Sequence, residues 1–145
     1  MLSEHLKGNI QFLNSVSSWE EAIKESAAPL RKDGNITEQY IEDMIQNVHT
    51  NGPYIVIVPG IAMPHAQNEG GVIKTGVSLL KLDEAVSFPQ EKKVNLLFTL
   101  AAEDTSGHLD LISDLSSLLI EDEVREKLEQ SNSEQEILDL IQTVE

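Results

Sequence analysis

The stretch Tyr54–Gln67, YIVIVPGIAMPHAQ, constrains this chain most. It opens with five consecutive apolar residues, Tyr54 to Val58, which have the length and β-branched content of a buried central strand. Pro59-Gly60 closes that run, and Ile61, Ala62 and Met63 carry the apolar character on to Pro64-His65. Pro64 has no N–H to give a sheet ladder, and it biases Met63 toward extended backbone. His65 is therefore expected just past the end of a buried segment, on a backbone stiffened by two prolines. A titratable imidazole held there is a candidate working group. An ordinary surface-loop histidine fits the same local pattern.

The rest of the chain alternates helix and strand signals. Ile10–Leu13 is a short first strand. Ser18 with Glu21 three residues on forms a capping box for a helix with the apolar stripe Trp19, Ala22, Ile23 and Ala27; it ends near Gly34, with Pro29 as a possible kink. Thr37 caps a second helix whose buried face is Tyr40, Ile41, Met44, Ile45 and Val48, stopped by Asn51-Gly52-Pro53. After a turn at Gly70-Gly71, Val72–Leu82 reads as a strand. Val86–Pro89 reads as irregular chain or a short edge piece, and Val94–Ala101 as a second central strand. The polar run Glu103–Gly107 leads into a helix beginning near Ser106, with His108, Leu109, Ile112, Leu115, Leu118 and Leu119 on one face. A short helix, Asp122–Gln130, and a last one capped by Ser133 and Glu136 complete the chain. This order predicts an α/β (α+β) fold, a mixed sheet flanked by helices on both faces. Sites in such sheets form in loops beyond strand ends, so His65 and His108 are expected at one rim.

At 145 residues the chain suits one domain, 1–145, with 40% hydrophobic and 24% charged residues placing it among soluble globular proteins. The net charge is −15, from 25 acidic and 10 basic residues, without a Lys/Arg cluster. That balance argues against nucleic-acid binding and against an anionic membrane surface. It either steers a basic partner or simply keeps the protein soluble. No apolar run is long enough to span a membrane, and MLSEHLKGNI has no signal-peptide pattern, so no membrane insertion and a cytoplasmic location are expected. With no cysteine, disulfides, thiolate metal sites and cysteine nucleophiles within the chain are excluded.

Several chemistries lack their residues. The four histidines, His5, His49, His65 and His108, show no paired spacing for a metal, and no calcium loop, G-x-S-x-G elbow or Walker loop is present. Neither a metal nor another cofactor is called for. Histidine chemistry remains. A neutral imidazole is a good nucleophile toward phosphorus. The first turn of the helix starting near Ser106 offers free backbone N–H groups and the positive end of a dipole to phosphoryl oxygens. His108 lies in that turn, either as a side-chain donor or as a plain helix-end histidine.

GIAMPHA at Gly60–Ala66, then VIKTGVSLLKL, VNLLFTLAAEDTSGHLDLISDLSSLL and the late SEQEILDLI, resemble the mannitol/fructose-type enzyme IIA domain of the bacterial phosphoenolpyruvate-dependent sugar phosphotransferase system. The similarity runs from about Leu30 to Ile141. It implies a cytoplasmic phosphotransferase component whose phospho-accepting nucleophile is His65, flanked by Pro64 and Ala66. It implies that His108, with Ser106 and Gly107 ahead of it, stabilises the phosphoryl group. The implied donor is the histidine phosphocarrier HPr, and the acceptor is a IIB component, which passes the group on toward a membrane IIC. Asn47 stands where mannitol-type members carry an arginine, in YIEDMIQNVH, so a cation on the phosphate is missing there. The wording NGPYIVIVPGIAMPHA looks most like the ascorbate branch, in which the IIB acceptor is a cysteine. A regulatory module phosphorylated at His65, controlling a partner and moving no sugar, shares the same resemblance.

Overall fold

Five strands form one mixed sheet in the order β1-β4-β5-β3-β2 in the computed structural model, which describes residues 2–145. They are β1 (Ile10–Leu13), β2 (Val56–Val58), β3 (Gly60–Ala62), β4 (Gly76–Phe88) and β5 (Lys92–Ala101). The β1–β4 and β3–β5 pairs are parallel, and the β4–β5 and β2–β3 pairs antiparallel. Six helices cover the sheet: α1 (Leu2–Leu6), α2 (Trp19–Lys32), α3 (Glu38–Asn51), α4 (Thr105–Leu119), α5 (Asp122–Gln130) and α6 (Glu134–Val144).

The twofold alternation of strand side chains builds two cores, one on each face. On β5, Leu97 and Ala101 join Ile23, Leu30, Tyr40 and Met44 of α2 and α3. Leu96, Phe98 and Leu100 face the other way, onto Leu115 and Leu119 of α4, Leu128 of α5 and Ile137 and Ile141 of α6. Helices therefore lie on both faces, as expected. Ser18, Thr37 and Ser133 cap α2, α3 and α6 by accepting the N–H of Glu21, Tyr40 and Glu136.

Pro29 lies inside α2 without ending it. The missing proline N–H leaves the Glu25 carbonyl without its helical partner, and Gln11 Nε2 of β1 donates to it at 3.2 Å.

Several expectations need correction. Tyr54–Val58 is not a central strand: β2 is three half-buried residues at the sheet edge. The turn after Gly52 takes up Tyr54 and Ile55, with Tyr54 N–H donating to Gly52 and Val56 N–H to Pro53. Gly60, at φ 88, then reverses the chain, so that the later apolar residues Ile61 and Ala62 take the seat beside β5. The strand predicted from Val72 begins only at Gly76, because Ile73 and Lys74 donate instead to the Asn35 carbonyl. Val86–Phe88 is no edge piece. It continues β4 past a register shift and pairs with Val94, Lys93 and Lys92. On α4, Leu109 is 61% exposed and Leu111 is buried in its place, which rotates the expected face. Helix α1 had no counterpart in the sequence expectations; Leu2 and Leu6 bury it against the α4–α6 core.

Candidate active site

The chain leaves β3 at Ala62, and the next residues stay beside β5: Leu100 N–H donates to the Pro64 carbonyl at 2.9 Å. Met63 is anchored by its N–H to the Ile55 carbonyl at 2.8 Å. This places the half-buried His65 at the C-terminal rim of the sheet. Its Nδ1 lies 2.6 Å from the Met63 carbonyl oxygen. A carbonyl only accepts, so this bond requires the proton on Nδ1, and Nε2 keeps its lone pair. Burial pushes the His65 pKa below its ordinary value; the Met63 carbonyl opposes that shift and His108 adds to it.

The expected meeting of the two histidines is found. The rings of His65 and His108 lie 5.3 Å apart, centroid to centroid, inclined by 54°. His108 arrives on the first turn of α4, which is capped by Asp104 and starts at Thr105, one residue ahead of the predicted start. The Asp104 carboxylate accepts the Gly107 N–H at 2.7 Å, and the His108 N–H returns to the Asp104 carbonyl at 3.0 Å. The capped Gly107 amide is thus already occupied. The free N–H groups of this helix end are those of Thr105 and Ser106.

Both rings open onto a cleft of about 560 Å³. Ala66 and Asn47 line it, while Pro64, Ser106 and Gly107 lie outside the lining. Neither lysine nor arginine lines it, and Glu103 and Asp104 do. A phosphoryl group here would meet neutral donors and two carboxylates.

Several lining residues had no site role in the sequence reading, Tyr54, Asn68 and Thr105 among them. Tyr54 stacks edge-on against His65 at 5.7 Å and 89°, and its hydroxyl donates to the His65 carbonyl at 3.5 Å. Burial raises the Tyr54 pKa, with the Asn47 side chain opposing the shift. Asn68 accepts the N–H of Gly70 and Val72 and donates to the Glu103 carbonyl at 2.9 Å, tying the loop after His65 to the entry of α4. Thr105 adds a hydroxyl at the rim. Asn68, two residues before Gly70-Gly71, carries an Asx-turn signal visible in the sequence. Tyr54 had none, since it reads as part of an apolar run.

The family model described as "Phosphoenolpyruvate-dependent sugar phosphotransferase system, EIIA 2" matches residues 5–144. The mannitol-specific cryptic phosphotransferase enzyme IIA component of Escherichia coli is 39% identical, over 93% of this chain and 92% of that protein. Its solution structure superposes with a TM-score of 0.91 at 38% identity, covering 98% of each chain. The ascorbate-specific EIIA component of Escherichia coli is 35% identical, over 92% of this chain and 88% of that protein. The Escherichia coli mannitol IIA protein in complex with phosphorylated IIB superposes with a TM-score of 0.82 at 27% identity, covering 93% of this chain and 94% of that one.

Proposed function

The chain belongs to the EIIA 2 family of the phosphoenolpyruvate-dependent sugar phosphotransferase system, and from that premise we propose that it is a phosphocarrier working through His65. The observation that carries this reading is the His65 Nδ1 bond to the Met63 carbonyl, which leaves Nε2 as the nucleophile beside His108. In the first step the Nε2 lone pair attacks the phosphorus of a phosphohistidine on HPr. An N–P bond forms at His65, which keeps its Nδ1 proton, as the donor's N–P bond breaks; the donor ring, protonated on its other nitrogen, takes back the bond's electron pair and leaves as neutral imidazole. In the second step a thiolate of a IIB component takes the phosphoryl group and restores His65. His108 and the Thr105 amide contribute donors to the phosphoryl oxygens.

A IIB partner is supported by the mannitol IIA protein, which has been solved with one. The two sugars to which the relatives point are ascorbate and mannitol, and the NGPYIVIVPGIAMPHA wording favours ascorbate. Incubation with phosphoenolpyruvate, enzyme I and HPr tests the carrier step: one phosphoryl group on His65 by mass spectrometry is expected. No mass gain overturns it. Pairing the labelled protein with ascorbate-type and mannitol-type IIB components then decides the branch by which one drains the label.

A further inference from the structure

We propose that Tyr40 is the positioning residue for phosphoryl acceptance at His65: its buried hydroxyl stands in for a missing sheet hydrogen bond and fixes the loop that carries the imidazole. The proposal rests on the phosphocarrier reading of His65 and adds a residue to it. Tyr40 belongs to α3, on the opposite side of the loop from His108, and is 1% exposed.

Beyond β3 the chain continues alongside β5, and Leu100 N–H reaches the Pro64 carbonyl as a parallel ladder would. The next rung of that ladder would run from Ala66 N–H to the Leu100 carbonyl. Instead the Tyr40 hydroxyl is inserted there. Ala66 N–H donates to it at 3.1 Å, and it donates to the Leu100 carbonyl at 2.7 Å. The Ala66 carbonyl lies further away, at 3.3 Å, so the single hydroxyl proton goes to Leu100. Burial pushes the Tyr40 pKa up to about 12, which keeps the proton in place at any working pH. One side chain therefore satisfies two buried backbone groups, and one of them belongs to the residue next to His65.

Helix α3 grips the far end of the same loop. Thr37 N–H donates to the Gly71 carbonyl at 2.9 Å. Gly71 also packs on Tyr40 itself: a Cβ there would stand 2.9 Å from Tyr40 Cβ. The loop from Ala66 to Gly71 is thus bracketed by one turn of helix, while Asn68 links it to Glu103. Its position decides how deeply the His65 ring is buried against Tyr54 and His108.

Tyr40→Phe tests this, because it keeps the ring in the core and removes only the bridge. The matched control is Ser78→Ala, which deletes another buried bond, from Ser78 Oγ to the Ser26 carbonyl, and touches neither this loop nor the Leu100 carbonyl. Tyr40→Phe should accept phosphoryl from HPr about tenfold more slowly at saturating donor, with KM for HPr unchanged. Its His65 titration, followed by NMR without any donor, should move up toward the ordinary histidine value as the ring loosens. Ser78→Ala should lose thermal stability and leave both readouts in place. Gly71→Ala, which keeps the hydroxyl but crowds Tyr40, should reproduce the slowing and the titration shift. If Tyr40→Phe and Gly71→Ala change stability alone, Tyr40 is merely structural and the proposal falls. Wild-type protein that takes no label overturns the phosphocarrier reading only, since the His65 titration still reports whether Tyr40 positions the ring.

Discussion

His65 and His108 face each other at 5.3 Å from different segments, one on the loop after β3 and the other on the first turn of α4. The rings are not equivalent. His65 spends Nδ1 on its own backbone and is half-buried, whereas His108 is carried by a helix end that offers donors. A nucleophile has no substitute, while one supporting hydrogen bond to an anion is worth about 1.5–3 kcal/mol, or roughly ten- to a hundred-fold in rate. His65→Ala should therefore take no label from HPr, and His108→Ala should take label ten- to a hundred-fold more slowly by that same estimate. Both should keep the wild-type circular dichroism spectrum, since neither ring belongs to the two apolar cores. Label on His65→Ala together with none on His108→Ala would reverse the roles.

The buried setting of His65 gives the reaction a pH dependence of definite sign. Burial depresses its pKa, and the neighbouring His108 acts in the same direction. The nucleophile must be neutral, so label uptake should hold as pH drops past the ordinary histidine value of about 6.5 and fall only as pH reaches the depressed value of the folded protein. Stability follows the same group. The unfolded chain binds this proton first, so the contribution present above about 6.5 is lost as pH falls through the folded value. Uptake rates and melting temperatures measured between about pH 5 and 8 check both. An acid limb centred at or above the free histidine value would show that the ring is not desolvated.

Asp104 does two things that can be separated. Its carboxylate caps α4 through Gly107, and it brings negative charge to the lining of the cleft. Asp104→Asn keeps a capping oxygen and removes the charge, whereas Asp104→Ala removes both. The alanine variant should lose about 1 kcal/mol of stability, and the asparagine variant little of it. Phosphoryl uptake by Asp104→Asn should rise at low salt, because a like charge near the phosphate is gone, and the gain should fade as salt screens it. Unchanged uptake at every salt concentration would mean that Asp104 is only a cap.

The main outline of the fold was readable because it rests on local chemistry. The Ser18, Thr37 and Ser133 caps and the apolar stripes of α2, α3 and α6 are short-range signals. What the sequence hid depends on partners distant along the chain. Whether Tyr54–Val58 or Ile61–Ala62 takes the inner seat is decided by the reversal at Gly60 and by pairing with β5, more than thirty residues downstream. The face of α4 was misjudged for the same reason: Leu109 and Leu111 both suit an apolar stripe, and only contact with the sheet chooses Leu111. His65 and His108 stood out as the residues that could perform histidine chemistry. Tyr54, Asn68 and the Tyr40 bridge did not, because aromatic and amide residues inside ordinary elements carry no sign of the backbone groups they will meet.

Asn47 offers the sharpest test of how this cleft holds a phosphate. It lies half-buried in α3 and lines the cleft together with Tyr54, and no lysine or arginine lines the cleft beside it. A phosphoryl group on His65 would rely on neutral donors against the charges of Glu103 and Asp104. A guanidinium introduced at this position would add a charge-assisted, bidentate contact. That contact exists only once the phosphate is present, so it should shift the equilibrium toward the phosphorylated protein. Solvent access to a half-buried position lowers its worth to about 1 kcal/mol, or roughly three- to tenfold in occupancy. Asn47→Arg, equilibrated with mixtures of phosphorylated and free HPr, should therefore hold more label than wild type at every ratio. Release to a IIB acceptor should slow by up to the same factor, because the phosphorylated state has been lowered more than the transition state. Occupancy equal to or below that of wild type would show that the phosphoryl group lies out of reach of α3, and that its donors come from the α4 side alone.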